Sequence, residues 1–300
     1  MAPVEAGPRP FLSVITVSRD AAATIPLTLD SVAAQTRLDR LEHLVIDGGS
    51  HDATCDLVRR APHPVRLVSE PDRGIYDAMN RGVGLARGEW IAFLNADDAW
   101  AHAGVVEELE RAAAVHPGVD LFHGDVDLID AGGRVGRRLR FVPTHDPDSP
   151  RARENYGMFG TSLPLSQPAT FLRRSVFERI GGFDDELAIA ADYDFFLRAW
   201  KAGVVMRSLG SVITRMRDDG VSESRPWRRG LEVLLVSRRH GTGAVPAALE
   251  FVRFETVWHL DRRAPQLIDA LRRVKRALFG RPRGIVTTWT PGSARGHRAS

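Results

Sequence analysis

The sequence predicts an α/β fold organised on a central parallel sheet, and three observations predict it. Between residues 11 and 94, short β-branched or apolar runs alternate with segments of helical spacing, the pattern of strand–helix–strand units with right-handed crossovers. Residues 90–94 (Trp-Ile-Ala-Phe-Leu) form an apolar run bounded by polar residues, as expected of a strand buried on both faces. That run stops abruptly at Asn95-Ala96-Asp97-Asp98. The three preceding strands also stop in polar clusters: Ser18-Arg19-Asp20, Asp47-Gly48-Gly49-Ser50 and Asp72-Arg73-Gly74. In a parallel sheet these clusters share one edge, where open α/β sheets bind ligands.

At 300 residues the chain suits one large domain, or one domain with an appendage. Apolar residues at 43% supply a sizeable core, and charged residues at 26% are ordinary for a globular protein. Residues 1–10 lack the apolar stretch of a secretory signal, and no apolar run nears the roughly 20 residues that span a bilayer. A single cysteine, Cys55, excludes an internal disulfide and fits a reducing cytoplasm. On a helix it reads as a small buried apolar residue. The net charge is +3, yet residues 270–300 hold eight Lys and Arg and no acid, which leaves −5 for residues 1–269. A basic tail on a mildly acidic body points to an anionic surface as partner and away from nucleic acid.

In chain order, residues 11–17 are the first predicted strand. Thr24 is placed to cap a helix with Pro26 in its first turn and Ile25, Leu29 and Val32 on its apolar face. Residues 41–46 are the second strand, and the glycines after Asp47 permit positive φ and close approach to a ligand. Ser50 or Asp52 caps the next helix, which carries Leu57 and Val58. Residues 65–68 are a third strand, 75–86 a helix and 90–94 the fourth strand. Residues 119–129 and 134–141 make a hairpin turned at Asp130-Ala131-Gly132-Gly133, with His123 a core or loop histidine. Residues 144–150 are a Pro- and Asp-rich loop.

Ser175-Val176-Phe177-Glu178 fits a capping box on a short helix ended by Gly181-Gly182. Between residues 190 and 200, Tyr193, Phe196, Leu197 and Trp200 share one helical face directed at the core. Asp192 falls near the start of that helix, where the macrodipole favours an ionised carboxylate. Residues 212–216 are a last strand. Residues 227–239, 245–260 and 264–279 have helical spacing. The last carries Leu267, Leu271, Val274 and Leu278 opposite Arg and Lys, so it either lies on an anionic bilayer or packs on the body with a solvated basic face. Residues 280–300, rich in Gly, Pro, Arg and Ser, are predicted to be disordered.

Adjacent carboxylates such as Asp97 and Asp98 suit Mg²⁺ or Mn²⁺, which bridge one or two carboxylates to substrate phosphates. An Asp-Asp pair alone reads rather as a solvated acidic turn capping the next helix. Four polar strand ends converging on one edge favour the site.

The runs Ser69-Glu70-Pro71-Asp72-Arg73-Gly74-Ile75-Tyr76-Asp77-Ala78-Met79-Asn80-Arg81-Gly82 and Ala86-Arg87-Gly88-Glu89-Trp90-Ile91-Ala92-Phe93-Leu94-Asn95-Ala96-Asp97-Asp98, with the loop from Asp47 to Thr54, resemble the family 2 glycosyltransferases. The resemblance covers roughly residues 11–222. It implies the GT-A (Rossmann-like) nucleotide-diphospho-sugar transferase fold, with a mixed central sheet and a C-terminal helical extension. The implied layout is a flexible N-terminus at 1–10, a catalytic domain at 11–222, a helical extension at 223–279 and a basic tail at 280–300. The implied activity is inverting, metal-dependent transfer from a UDP-, GDP- or dTDP-sugar to a hydroxyl of a glycan or lipid-linked acceptor. Such transfer serves polysaccharide, glycolipid or cell-envelope glycan assembly.

By the same resemblance, Thr16 and the backbone after it line the base pocket and Asp47 hydrogen-bonds the nucleobase. Asp97 reaches the ribose or the metal, and Asp98 holds the metal, Mg²⁺ or Mn²⁺, against the diphosphate. Arg73 supplies positive charge near the phosphates or is a surface arginine. Asp192 takes the acceptor proton, and Asp194 is a surface or supporting acid. Three departures from the family pattern stand out: Ser166 precedes Gln167 where His is frequent, Ala191 precedes Asp192 where Glu is frequent, and Asp218-Asp219-Gly220-Val221-Ser222 offers no His as a third metal ligand. The expected location is cytoplasmic, with peripheral inner-membrane contact through the basic C-terminus. The alternative is a non-catalytic nucleotide-sugar-binding or scaffold protein. A nucleotidyltransferase would need a Gly-rich phosphate loop with Lys after the first strand, and a dehydrogenase G-x-G-x-x-G; Val17-Ser18-Arg19-Asp20 is neither.

Overall fold

Four parallel strands position everything that follows. In the computed structural model, β1 (Leu12–Ser18), β2 (Leu41–Asp47), β3 (Arg66–Ser69) and β4 (Trp90–Phe93) pair side by side in the order β4–β1–β2–β3. The structure describes residues 9–130, 132–141, 165–217, 226–241 and 285–289, with scattered positions between 243 and 270. β1 and β4 are buried along their whole length because helices cover both faces of this half of the sheet. Strand alternation sorts the side chains. Ile15, Val17, Leu44, Ile46, Ile91 and Phe93 pack with Tyr76, Ala78 and Met79 of α3 (Ile75–Leu85). Leu12, Val14, Trp90 and Ala92 pack on the other side with Val105, Val106 and Leu109 of α4 (Val105–Val115). Val45 packs there with Ile25 and Leu29 of α1 (Ile25–Ala33) and Val58 of α2 (Thr54–Arg59).

The second half of the sheet is mixed. β8 (Thr170–Arg173) lies antiparallel between β4 and β6 (Leu121–Ile129), and β6 also pairs antiparallel with β7 (Val135–Phe141) and parallel with β9 (Met206–Arg217). β5 (Ala99–Trp100) adds to β9. Across the β6–β7 hairpin, Asp127 stands opposite Arg138 and takes both its Nε and an Nη hydrogen bond, at 2.6 and 2.9 Å. α5 (Arg174–Ile180), α6 (Ala191–Lys201) and α7 (Pro226–Arg239) follow among the described residues.

Several expectations need correction. α5 starts directly out of β8 with Arg173 as its N-cap, so Ser175 sits inside the first turn and makes no capping box. Arg173 fixes that start, reaching the carbonyls of Val119 at 2.9 Å and Pro117 at 3.0 Å, with its guanidinium 4.5 Å from the Trp90 ring centre. The last strand is longer than 212–216. Gly210, at φ +77°, and the register shift opposite Asp125 let β9 run on as a bulged strand. Ala53, not Ser50 or Asp52, is the N-cap of α2, because Ser50 turns to Asp47 while Asp52 accepts the Thr54 amide at 2.9 Å. Thr24 does precede α1, but its hydroxyl points back to the Ala21 carbonyl. Within the stretch expected to be disordered, β10 (Ile285–Trp289) pairs antiparallel with β7. Ile-Val-Thr-Thr-Trp is a strand-forming sequence, and β7 presents an open edge. The loop at 144–150, the segment 218–222 and most of the predicted helices at 245–260 and 264–279 lie outside the described residues. No helix among the described residues is long and apolar enough to cross a membrane.

Candidate active site

Because β1 to β4 run parallel, Ser18, Asp47, Ser69 and the turn Asn95–Asp98 all emerge at one sheet edge. Asp47 is the most heavily bonded of these groups. Its carboxylate accepts from Ser18 at 3.1 Å, from the Gly49 and Ser50 amides at 3.2 and 2.9 Å, from the Ser50 and Ser69 hydroxyls, and from the Cys55 thiol at 3.3 Å. Burial alone would raise this acid, but the donors outweigh it and hold it at about 2. Asp47 is fully buried, and a nucleobase would meet it only by displacing one of these partners. Cys55 is therefore not the buried apolar filler the sequence suggested. It is partly exposed and donates to Asp47.

Thr16 also faces inward. It is fully buried, its Oγ1 is 3.0 Å from His43 Nε2, and His43 Nδ1 is 2.8 Å from His63 Nε2. Burial first and the neighbouring His63 second push His43 down to about 3, so both rings serve as neutral packing groups. What Thr16 leaves to line a pocket is the backbone that follows it. Beside that backbone stands Asp72, whose Oδ1 accepts the Gly74 amide at 3.0 Å. A Cβ on Gly48 would come within 2.3 Å of Asp72 Oδ2, so only glycine lets this carboxylate lie over the loop.

At the end of β4, Asp98 is buried and Asp97 half-buried. Burial first and the charge of Asp97 second push Asp98 well above the usual carboxylate range. Asn95 donates to Asp98 Oδ2 at 3.0 Å, and the Thr28 hydroxyl, on α1, fixes the turn through the carbonyls of Asn95 and Asp98 at 3.1 and 2.7 Å. Asn95 Oδ1 is buried with no hydrogen-bond partner. The carboxylates of Asp97 and Asp98 and the unpartnered amide oxygen of Asn95 are hard oxygen donors of the type Mg²⁺ and Mn²⁺ take. No group of three His, Cys, Asp or Glu suited to a metal occurs among the described residues, so water or substrate oxygens would complete such a shell.

Arg73 is exposed and held between Asp77, at 2.8 Å, and Asp185. It ties the loop after β3 to the loop before α6, and its charge is already balanced by two acids. Asp192, the second residue of α6, lies against α3: the Tyr76 hydroxyl donates to the Ile189 carbonyl at 2.7 Å and stands 3.5 Å from Asp192 Oδ1. Tyr76 belongs to the first turn of α3, which starts at the carboxyl edge of the parallel strands, so Asp192 is held on the same edge as Asp97 and Asp98. Burial raises Asp192 to about 6 against the opposing bonds from the Tyr193 amide and Tyr76. A carboxylate at that value is ionised at neutral pH yet basic enough to accept a proton.

Sequence reasoning missed the support beneath Asp192. Glu232 of α7 accepts the successive amides of Ala188, Ile189 and Ala190 at 3.1, 2.8 and 3.0 Å, fixing the segment that leads into α6. It is the single acid of α7, and that singularity was the available signal. Asp194 is buried rather than on the surface. It pairs with Arg198 at 2.7 Å and His240 at 2.8 Å, clamping α6 to the end of α7.

Residues 13–181 match the sequence model of Glycosyl transferase family 2. A PGL/p-HBAD biosynthesis glycosyltransferase of Mycobacterium bovis (strain BCG / Pasteur 1173P2) is 33% identical over 238 residues, covering 77% of this chain and 87% of the relative. Glycosyltransferase AglE of Haloferax volcanii is 27% identical over 281 residues, covering 87% of this chain and 79% of the relative. The mannosyltransferase PcManGT from Pyrobaculum calidifontis, solved with GDP-Man and Mn²⁺, superposes with a TM-score of 0.56 at 21% identity, covering 92% of this chain and 77% of that one. S. aureus TarS with UDP-GlcNAc superposes with a TM-score of 0.57 at 18% identity, covering 81% and 71%. The fold is the one these glycosyltransferases share.

Proposed function

Because the chain belongs to glycosyl transferase family 2 and is a glycosyltransferase, we propose that it transfers a sugar, with inversion, from a nucleotide-diphosphate donor to a hydroxyl group. The observation that carries this reading is Asp192, a carboxylate raised to about 6 and tied through Tyr76 to the sheet edge that holds Asp97 and Asp98. Asp192 accepts the proton of the acceptor hydroxyl as that oxygen attacks the anomeric carbon from the side opposite the leaving diphosphate. Asp97, Asp98 and Asn95 Oδ1 would hold Mg²⁺ or Mn²⁺. That cation, when bound, neutralises charge gathering on the departing diphosphate.

The loop organised by Asp47, with Asp72 and the backbone after Thr16, receives the nucleoside, and Arg73 closes the loops around it. The solved neighbours bind UDP-GlcNAc or GDP-Man, which supports a nucleotide-sugar donor here. The mycobacterial relatives named for PGL/p-HBAD biosynthesis support a glycolipid or cell-envelope acceptor. The setting we propose is the cytoplasmic face of the membrane, with peripheral contact through the basic C-terminus.

The test is release of nucleoside diphosphate from UDP-, GDP- and dTDP-sugars with Mn²⁺. Release is expected with one donor class and is expected to vanish on chelation and in Asp98→Ala. Turnover that survives both would rule the cation reading out. Proton NMR of the product gives the anomeric configuration and decides between inversion and retention.

A further inference from the structure

The tip of β1 carries a cation that the folded chain leaves unused. Arg19 follows Ser18, is exposed, and its guanidinium makes no ion pair or hydrogen bond among the described residues. The acids beside it are engaged elsewhere. Asp20 Oδ1 accepts the His51 amide at 2.8 Å, and Asp52 accepts the amides of Ala22 at 3.0 Å and Thr54 at 2.9 Å. The Asp20 amide donates to the Ser50 hydroxyl, and the Ala21 amide to that of Thr54, both at 2.8 Å. These bonds pin the chain after Arg19 to the loop after β2. They also hold Asp20 at φ +49°, and among the described residues no other non-glycine residue has a positive φ. Such a conformation persists where surrounding bonds over-determine it, as they do here, and it fixes the point from which the Arg19 side chain leaves the backbone.

Strand order says what crosses that point. β1 lies between β4, which ends in Asp97 and Asp98, and β2, which ends in the loop organised by Asp47. A ligand with its nucleoside in that loop and its diphosphate at Asp98 passes over the tip of β1. The edge it passes is acidic, with Asp20, Asp47, Asp72, Asp97 and Asp98 along it, so a diphosphate needs a cation between the two ends. Arg73 is already balanced by Asp77 and Asp185. We propose that Arg19 binds the diphosphate of the donor, its guanidinium donating to phosphate oxygens between the nucleoside loop and the turn at Asp97 and Asp98. A planar guanidinium meets two such oxygens at once, and the pairing is charge-assisted. This inference rests on the nucleotide-sugar reading given above and deepens it, by naming the protein's own cation for the donor.

The test is calorimetric titration of the full chain with UDP, GDP and dTDP in the presence of Mn²⁺, beside NMR titration with the matching nucleoside, which has no phosphate. The wild type is expected to bind one of the three diphosphates. Arg19→Gln keeps the aliphatic stem and loses the charge. It is expected to bind that diphosphate about tenfold more weakly, to bind the nucleoside as the wild type does, and to melt as the wild type does. Arg19→Lys restores the charge without the fork and is expected to bind the diphosphate within about threefold of the wild type. Should Arg19→Gln melt differently, Arg19→Lys decides, with a small loss expected for the diphosphate and none for the nucleoside. A diphosphate bound equally well after Arg19→Gln overturns this inference alone. Equal losses for diphosphate and nucleoside overturn it too, because they place Arg19 on the base. A wild type that binds none of the three diphosphates overturns the donor reading, and this inference with it.

Discussion

Asp47 and Asp192 are both aspartates withdrawn from water near one sheet edge, and they titrate in opposite directions. Asp47 is wrapped by six donors and held at about 2, whereas Asp192 has one close amide and a distant hydroxyl and rises to about 6. Burial pushes both upward; the number of donors decides which way each finally goes. The difference separates a carboxylate that organises a loop from one kept hungry for a proton. Asp98 sits nearer the second type, but its neighbour Asp97 makes a cation the natural partner.

The largest effect expected from breaking this contrast is at Asp192. Asp192→Asn should lower kcat by about 10²–10⁴-fold with donor KM nearly unchanged, measured by steady-state release of nucleoside diphosphate. A matching loss of donor affinity would argue against a base. The same substitution should stabilise the fold above pH 6. A raised acid favours the folded state when protonated, and that contribution is lost as pH rises from the unfolded value near 4 through about 6. Urea denaturation at pH 8 should therefore show a gain of up to about 3 kcal/mol.

Asp47→Ala should do the reverse. It strands the Ser50, Ser69 and Ser18 donors and should cost about 3 kcal/mol in urea denaturation. In the wild type, the stability due to Asp47 is complete above the unfolded value near 4 and drains away as pH falls toward 2. Glu232→Gln should loosen the approach to α6. A fall of about tenfold in kcat, with donor KM unchanged, would show that three amide bonds beneath Asp192 matter to the chemistry. Arg73→Ala should be mildest, within about threefold in kcat/KM, because Asp77 and Asp185 already offset its charge.

The sequence made the parallel half of the sheet readable because Leu12–Ser18, Leu41–Asp47 and Trp90–Phe93 are apolar runs cut off by polar turns, and such runs declare their own ends. The Asp97–Asp98 pair stood out locally as two acids at a strand end, whereas Asp192 came forward only through the family resemblance, its local reading being a charge at a helix start. What sequence could not carry was partnership between distant segments. Glu232 supports residues more than forty positions away, and nothing near it in the chain records that. Asp47 was legible as an acid on a glycine loop, but its saturation by Ser18, Cys55 and Ser69 depends on strand register. The capping box at Ser175 failed because β8 enters α5 without a loop, so the matching pattern met the wrong geometry. β10 escaped because Arg, Gly and Pro around it set the composition, while its pairing with β7 is non-local.

The pH dependence of kcat for the wild type beside Asp192→Asn tests the central claim most directly. With Asp192 as the base, wild-type kcat should fall about tenfold per pH unit below about 6, and the residual rate of Asp192→Asn should lose that limb. The same acidic limb persisting in the variant would contradict the assignment and move the base elsewhere.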